Sequence, residues 1–531
     1  MSTSRVIKAA RTDPTPDPRR GLRLAFAGAV SVGGALATGE LLAGLLPGVP
    51  SPLLAVARFI VDIQPPGAKD FVVGLFGEAD KLAFQVFIVL VALGVGVVLG
   101  RLAPQRPAAA ATIVALFAGA GFAASLRDPA VGVGLSAAAA GIEAVVGIWL
   151  LRRLVAVAVT PGAGSATGTA AMPDWTRRSL LRTGGAIAVG SVVVGSVGRW
   201  LRERQRAPAA PGDVPAAPVP ADLPSGADLA TADLTQAGLT PIVVPNQSFY
   251  RIDTAFIPPT VDRSTWSLVV GGMVDREVTL TYDELVAMPL VEQYVTIACV
   301  SNTVGGKLVG NAKWTGVRLR DVLDRAGVSA NADQLVGESV DGFTAGMPVE
   351  WVMDQSRTPM IAVAMNDAPL PREHGYPARL IIPGLYGYVS ATKWLTRLTL
   401  TRFDQFEGFW VPLGWAQKAP ILTQSRIDVP HDGANVSAGH VPVAGVAWAP
   451  DRGITAVEVS VDGGEWAPAK LSTPISKATW VQWLYDWDAG AGNHTLEVRA
   501  TDGNGEVQTD QRSNPAPDGA RGHHAVGVSV G

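Results

Sequence analysis

Cys299, the single cysteine of this chain, is the residue whose type and surroundings most clearly suggest chemistry. An apolar run over residues 295–298 predicts a buried strand, and a polar loop, Ser-Asn-Thr-Val-Gly-Gly, follows the cysteine directly. Ligands and nucleophiles often lie at such a strand end, because a rigid element positions them beside a loop. A thiolate there could bind a soft metal, but a lone buried cysteine is also commonly a small core residue. Both interpretations stay open on this observation alone.

Five short motifs around and beyond this cysteine follow one another in a distinctive order. They are CVSN at 299–302, WTGVRL at 314–319, PREHGYPAR at 371–379, PGLYG at 383–387 and TKW at 392–394. Together they resemble the sulfite oxidase family of molybdopterin enzymes, and the resemblance extends from residue 246 to the C-terminus. It implies a molybdenum cofactor-dependent oxidoreductase in which Cys299 is the only protein ligand of the molybdenum.

The resemblance also implies which side chains hold the molybdopterin. His374 and Arg379 match the positions that bind the cofactor's phosphate, a role that suits the planar fork of an arginine. Arg251 is in addition a candidate catalytic cation. Phe249 could instead belong to the core, and Lys393 to the solvated surface. The other cofactor-binding candidates, by the same match, are Asn246, Phe249, Tyr250, Arg251, Ser339, Ser390, Thr392 and Lys393.

The substrate side departs from the sulfite-oxidising members of the family. Those members have paired arginines shortly after the cysteine, where this chain has Thr303 and Val304. The departure favours reduction of a small sulfoxide-like or N-oxide substrate over sulfite oxidation, and both reactions stay open. Trp410 and Trp415 fall where the family presents aromatic side chains to the substrate channel, or they serve packing.

Apolar residues are concentrated in the first part of the chain. A helix needs about 20 apolar residues to cross a bilayer. Five stretches come close to this length, at 24–46, 82–99, 108–125, 131–151 and 186–201. We therefore predict an all-α transmembrane bundle of about five helices over 23–206, in contact with membrane lipid and preceded by a disordered N-terminus over 1–22. The segment 53–76 is interrupted by charges and prolines, so an interfacial or re-entrant position is expected.

Charge flanking these stretches predicts the orientation of the bundle. Basic residues precede the first stretch and separate the second from the third and the fourth from the fifth, which favours a cytoplasmic N-terminus and an extracytoplasmic catalytic domain. Arginines that follow the fifth stretch disagree with this topology. The paired arginines at 177–178, ahead of a small apolar run, resemble a twin-arginine export signal, or they are ordinary flanking charges. The predicted location is a bacterial cytoplasmic membrane, with several spans.

If the chain is a molybdenum-dependent oxidoreductase, its electron transfer must involve another molecule. All six histidines lie at residue 374 or later, and haem b in a membrane needs axial histidines, so no haem is expected. A separate electron-transfer partner is therefore predicted beside the small-molecule substrate. The net charge of −3 argues against nucleic acid as a partner.

Composition divides the second part of the chain into three segments. Residues 207–245 are rich in Pro and Ala, which predicts an extended linker. Mixed strand and helix patterns over 246–428 are typical of an α+β or α/β domain, and with the resemblance we predict an α+β molybdopterin-binding domain there. Short strands separated by Asp-Gly and Asn-Gly turns over 429–531 predict a β-sandwich. It resembles the immunoglobulin-like C-terminal domain of the sulfite oxidase family, which implies a possible homodimer.

Two other classes of function compete with the enzyme. The chain could be a cofactor-free extracytoplasmic binding or scaffold module on a membrane anchor, although such a module would not require Cys299, His374 and Arg379. The helices could alternatively form a transporter or channel, for which Glu40 and Glu143 within apolar stretches are the only support.

Overall fold

The computed structural model describes residues 20–46, 48–64, 80–127, 131–159, 174–205, 226–255 and 258–531. These residues divide into two compact units, a helical unit before residue 207 and a β-rich unit after it. The segments 65–79 and 206–225 lie outside the described residues, as do residues 1–19, where most of the predicted disordered N-terminus falls. Residues 20–22 begin the first helix rather than ending a disordered tail.

The helical unit consists of long apolar helices. They are α1 (Arg20–Leu45), α2 (Pro52–Asp62), α3 (Asp80–Leu102), α4 (Pro107–Ser125), α5 (Val133–Val159) and α6 (Asp174–Gln205). Proline at the first position of α2 and of α4 suits a helix start, since its backbone angle is already helical and its missing N–H would be unpaired there. Ser51 caps α2, and its hydroxyl accepts a hydrogen bond from the backbone N–H of Leu54 at 3.2 Å.

Helix α1 packs against α3, α5 and α6 through small residues. At Gly44 a β-carbon would lie 2.2 Å from the carbonyl oxygen of Gly198, so only glycine permits this approach of α1 and α6. Glycine and alanine commonly allow such close approach of helix backbones where the packed helices are apolar.

Four of the helices within the described residues are long and apolar enough to cross a membrane. They are Arg20–Leu45, Lys81–Leu102, Pro107–Ser125 and Arg182–Arg202. The predicted all-α class of this region is confirmed, and the predicted stretch at 131–151 forms the helix α5, which is not among the four. The membrane setting itself stays a prediction. The paired arginines at 177–178 fall in α6, but their side chains lie outside the described part of the structure.

The predicted linker is corrected in its second half. Residues 207–225 lie outside the described residues, but 226–232 form the helix α7 (Gly226–Ala232) and the segment after it packs on the β-rich unit. Ile242 is buried, and its carbonyl oxygen accepts hydrogen bonds from the side chains of Asn311 and Trp480. Composition predicted an extended spacer, because the hydrogen bonds of this segment join residues far away in the sequence, and the Ala and Pro content of the segment does not indicate them.

The predicted α+β domain follows. Its strands are β1 (Ser267–Gly272), β2 (Val278–Thr281), β3 (Leu290–Ala298), β4 (Val309–Arg318), β5 (Gln334–Ser339), β6 (Thr344–Pro348), β7 (Met360–Met365), β8 (Ala368–Pro369), β9 (Arg379–Ile381) and β10 (Leu395–Thr401). Its helices are α8 (Tyr282–Val286), α9 (Leu319–Ala326), α10 (Val349–Met353) and α11 (Gly387–Ser390). One sheet has the order β2-β1-β10-β5-β6, and the other has the order β3-β4-β7-β8 with β9 paired to β7.

Local sequence accounts for several of these elements. Thr281 and Glu284 form a reciprocal capping box that starts α8 directly after β2. Helix α9 buries Leu319, Val322, Leu323 and Ala326, a helical spacing that turns one face to the core, and it ends at Gly327 in a left-handed conformation. Strand β3 is a run of mostly buried residues that ends at Ala298, as the apolar pattern predicts.

The C-terminal part is the predicted β-sandwich. Its strands are β11 (Gln424–Val429), β12 (Ala434–Val436), β13 (Gly439–Trp448), β14 (Ile454–Val461), β15 (Ala467–Pro468), β16 (Lys470–Leu471), β17 (Val481–Ala489), β18 (Gly492–Asp502) and β19 (His524–Val530). The two sheets, β11-β13-β17-β16 and β12-β19-β18-β14-β15, enclose a core around Trp483 and Val459. Trp448 and Trp480 instead belong to the core of the preceding domain, so these two predicted sandwich tryptophans join the two parts.

Candidate active site

Cys299 lies where β3 ends and a tight loop begins. Its backbone N–H donates to the carbonyl oxygen of Leu308 at 2.9 Å, which continues the pairing of β3 with β4 for one more residue. The side chain of Asn302 closes the loop by accepting from the N–H of Leu308 at 2.8 Å. The thiol is buried and is not part of a disulfide. The loop therefore holds the sulfur in one place with no covalent partner.

The thiol faces a cavity of about 90 Å³ in the β-rich unit. Both aromatic and charged side chains form its walls, and they come from several loops between 249 and 415. Among the lining residues are Phe249, Tyr250, Asp253, Cys299, Ser339, Asp341, His374, Tyr388, Arg379, Lys393, Trp410 and Trp415. The cavity thus brings together residues that are far apart in the sequence.

Arg379 is the unusual group of this cavity. Its guanidinium is buried and donates only to backbone carbonyl oxygens, those of His374 at 3.1 Å and of Leu380 and Ala391 at 3.4 Å each. It also lies over the ring of Trp314, 5.0 Å from the centroid. No carboxylate within the described residues pairs with it. Burial lowers the pKa of Arg379 to about 10.

His374 lies beside this arginine as a neutral imidazole. Burial lowers its pKa to about 4, and the nearby Arg379 charge acts in the same direction. Its Nε2 lies 3.0 Å from the carbonyl oxygen of Asn246, so Nε2 carries the proton and donates to that oxygen. The ring also meets the edge of Phe249, with centroids 5.6 Å apart. His374 thereby holds the 246–250 loop against the cavity.

Two aromatic residues of that loop take different places. Phe249 is buried and packs edge-on against Trp314, as the core interpretation predicts, and it also lines the cavity. The ring of Tyr250 stacks on Phe249 and reaches the cavity near Cys299. Burial raises the pKa of the Tyr250 phenol, so its hydroxyl keeps its proton and can donate.

Lys393 does not present a free charge to the cavity. Its ammonium group donates to a carboxylate oxygen of Asp253 at 2.9 Å and to the carbonyl oxygen of Glu373 at 3.2 Å. Both partners of this ion pair are nearly buried, with 10% and 3% of the side chains exposed. Arg251 shares this carboxylate, so the three groups keep one net positive charge, and the bond to Asp253 limits what Lys393 itself adds to the binding of an anion.

Four of the predicted site residues do not reach the cavity. Arg251 is the clearest case, because its side chain is 37% exposed and pairs with Asp253 at 3.1 Å. Asn246 serves the site through its backbone carbonyl, since its side chain bonds Met365 and Asn366. The hydroxyls of the other two donate to nearby backbone carbonyl oxygens inside the fold; they are Ser390 and Thr392. Ser339 lines the cavity, and its predicted contact with the cofactor stays a prediction.

The sequence analysis missed two residues that line the cavity and one in the loop beside Cys299. Asp253 and Asp341 line the cavity, and nothing in a single aspartate within a loop indicates this. Ser301, two residues after the cysteine, has a buried hydroxyl with no hydrogen-bond partner. Its position within the CVSN motif was the available signal.

The residues present fit a large anionic cofactor. Within the described residues, the buried guanidinium of Arg379, which lines the cavity, has no counter-anion, so it could bind an anionic group that a ligand would bring. The buried Ser301 hydroxyl, in the loop after Cys299, also has no hydrogen-bond partner there. The described part of the chain has no cluster of three or more His, Cys, Asp or Glu that could hold a metal by itself. A metal beside Cys299 would therefore depend on a cofactor for its other ligands.

Comparison with known proteins agrees with this geometry. Residues 255–410 match the family described as oxidoreductase molybdopterin binding domain, and residues 424–498 match the bacterial Ig domain. An uncharacterized oxidoreductase of Bacillus subtilis, YuiH, is 33% identical over 189 residues, which cover 35% of this chain and 90% of that protein.

Longer relatives are matched only in part. Human mitochondrial sulfite oxidase is 30% identical over 315 residues, which cover 50% of this chain and 57% of that protein. The chain thus spans little more than half the length of the sulfite oxidases it matches. The sulfane dehydrogenase SoxCD from Paracoccus pantotrophus is similar in structure at 24% identity and a TM-score of 0.45, over 54% of this chain and 84% of that one.

Proposed function

Because this chain belongs to the sulfite oxidase family of molybdopterin-dependent oxidoreductases, we propose that it transfers an oxygen atom to or from a small, uncharged substrate at the Cys299 cavity. The observation that supports this most strongly is that one cavity contains both a thiol outside any disulfide and a buried guanidinium that forms no ion pair within the described residues. A thiolate suits a soft metal, and a guanidinium suits the phosphate of the cofactor that carries it.

The protein's own groups have distinct roles in this proposal. When bound, the molybdenum cofactor supplies two-electron redox chemistry and exchange of an oxygen atom. Cys299 holds the metal, Arg379 binds the phosphate, and Ser301 offers a hydroxyl to a polar edge of the cofactor. His374 positions the loop that carries Tyr250, whose protonated phenol can donate a hydrogen bond inside the cavity.

The charges around the cavity favour reduction of a sulfoxide-like or N-oxide substrate over oxidation of sulfite. Sulfite is an anion and needs cations beside the metal, where this chain has Thr303 and Val304. Lys393 is paired with Asp253, and Arg251 is turned to the surface. Trp410 and Trp415 line the cavity with apolar surface, which suits a small neutral molecule.

The rest of the proposal concerns location and partners. We infer that the apolar helices anchor the enzyme in the cytoplasmic membrane, that the catalytic unit lies outside it, and that the paired arginines at 177–178 direct its export. A separate partner would exchange electrons with the enzyme, and the C-terminal sandwich could form a homodimer. Changing both arginines to lysine should retain the catalytic unit in the cytoplasm, as measured by protease protection in spheroplasts; unchanged exposure to protease would refute the signal.

The enzyme proposal is tested by analysis of the full chain purified from a host that makes the cofactor. Wild type should contain about one molybdenum and one pterin per chain, and Cys299→Ala should lose the metal or alter its absorption spectrum. Turnover of a sulfoxide with a reduced dye should exceed turnover of sulfite with an oxidised one. A wild-type protein without metal or pterin would overturn the proposal in favour of a cofactor-free binding module.

A further inference from the structure

The helical unit encloses a cavity of its own, of about 220 Å³. Its walls come from α1 to α5 and are apolar with few exceptions. Representative lining residues are Leu36, Val56, Phe87, Phe117 and Ala118, and the one ionisable residue among them is Glu143. A space of this size and lining binds hydrophobic molecules and excludes ions.

Glu143 is an acid without a partner. Its residue is only 9% exposed, and no side chain or backbone group within the described residues forms a hydrogen bond or ion pair with its carboxyl group. It also lines a smaller neighbouring cavity that contains the hydroxyl-bearing residues Ser125 and Ser136. The nearby Glu40 differs, since it pairs with Arg202 at 2.6 Å and accepts from Ser51. Glu143 therefore stands ready for a polar group that the described protein does not supply.

The cavity opens toward the outer surface of the helices. Phe87 of α3 and Phe117 of α4 both line it, and they are 59% and 55% exposed. An apolar molecule dissolved in a membrane-like environment could thus enter the cavity through the outer face that carries these two rings. A purely hydrocarbon occupant would leave the carboxyl group unsatisfied, which costs free energy at this burial.

We propose that this cavity binds the head group of a lipid-soluble quinone, with a quinone carbonyl oxygen accepting a hydrogen bond from the protonated carboxyl group of Glu143. An unpaired carboxylate costs far more to bury than a carboxylic acid, so the group that faces the cavity is a single O–H donor. A carbonyl oxygen is its natural acceptor. The choice of a redox-active carbonyl rests on the proposed function, because an oxidoreductase needs an electron carrier and residues 1–206 contain no histidine to hold a haem.

The test is binding of a short-chain benzoquinone or naphthoquinone to the full chain in lipid nanodiscs, measured by equilibrium dialysis. Glu143→Leu should weaken binding about tenfold, as expected for one buried hydrogen bond, and Glu143→Gln should retain most of it because the amide also donates. Ala118→Phe fills the cavity and should abolish binding. Its matched control, Ala115→Phe, lies on an exposed position of the same helix and should bind as wild type does.

Two results would overturn the proposal. One is equal affinity of wild type, Glu143→Leu and Ala118→Phe for the quinone. The other is that wild type binds the quinone no more tightly than an analogue with the same ring and side chain but no carbonyl groups. That result would mean that the cavity binds lipid chains only. Molybdenum content and dye-linked turnover, measured on the same samples, keep the result separate from the proposed function: failure to bind quinone with normal turnover refutes this inference alone.

Discussion

Replacing Arg379 by methionine should stabilise the cofactor-free protein and at the same time prevent it from retaining the cofactor. Burial lowers the pKa of this guanidinium to about 10, so the folded state disfavours its charge. At about 1.36 kcal/mol per pKa unit, the penalty is about 3 kcal/mol. It is fully present below pH 10 and is relieved only as the pH rises above that value, because the unfolded chain keeps the proton longer.

The substitution also removes favourable contacts of the Arg379 side chain, and their loss reduces the net gain in the free energy of unfolding. The three bonds to backbone carbonyl oxygens, at 3.1 to 3.4 Å, are long, and together with the contact to the Trp314 ring they offset about 1 to 2 kcal/mol. A net gain of about 1 to 2 kcal/mol remains, which corresponds to a rise of about 2–4 °C in the unfolding midpoint. Loss of charge-assisted bonds to a phosphate should weaken cofactor binding about 10- to 150-fold.

The assay compares proteins from hosts with and without cofactor synthesis. Unfolding midpoints are measured on the cofactor-free proteins, and molybdenum and pterin contents on the others. The control is Arg452→Met, which leaves the buried carboxylate of Asp502 without the partner that now lies at 2.7 Å. That variant should be destabilised by about 3 kcal/mol and should keep its cofactor. If Arg379→Met instead loses stability as the control does and retains molybdenum, Arg379 is a structural residue and the reasoning is refuted.

Three further predictions concern the same cavity. Cofactor-free wild type should lose stability as the pH falls from 6.5 toward 4, because the pKa of His374 is about 4 in the fold and the unfolded chain takes up the proton first; His374→Gln should flatten this part of a midpoint-versus-pH curve. Placing arginines at Thr303 and Val304 should raise kcat/KM for sulfite relative to a sulfoxide at least tenfold, and an unchanged ratio would contradict the charge argument. Lys393→Met should cost only about 1 kcal/mol, because Arg251 still pairs with Asp253, and removing both cations should cost about 3 kcal/mol; losses that simply add in a cycle of Lys393→Met and Arg251→Met would refute the shared pairing.

Local patterns were sufficient for many of the elements and for the position of Cys299, but not for α7 within the predicted linker. An apolar run that changes to a polar loop marks the end of β3, and helical and alternating spacings mark the helices and the sandwich strands. These features depend on neighbours within a few residues, and the order of short motifs was enough to indicate the family. The same information placed His374 and Arg379 at the site, where the structure also has them.

Only the tertiary structure decided which candidates share the cavity and what charge each one carries. Arg251 and Arg379 are the same residue type, yet one pairs at the surface and the other is buried without an anion. Lys393 bonds to Asp253, a residue 140 positions away, which Arg251 also contacts. Glu143 differs from Glu40 because Ser51 and Arg202, the latter 162 positions from Glu40, reach the Glu40 carboxylate. Such pairings arise from packing between distant segments, which determines both the burial of a side chain and the charge beside it. The spacing of residues within a short stretch of sequence contains no information about either.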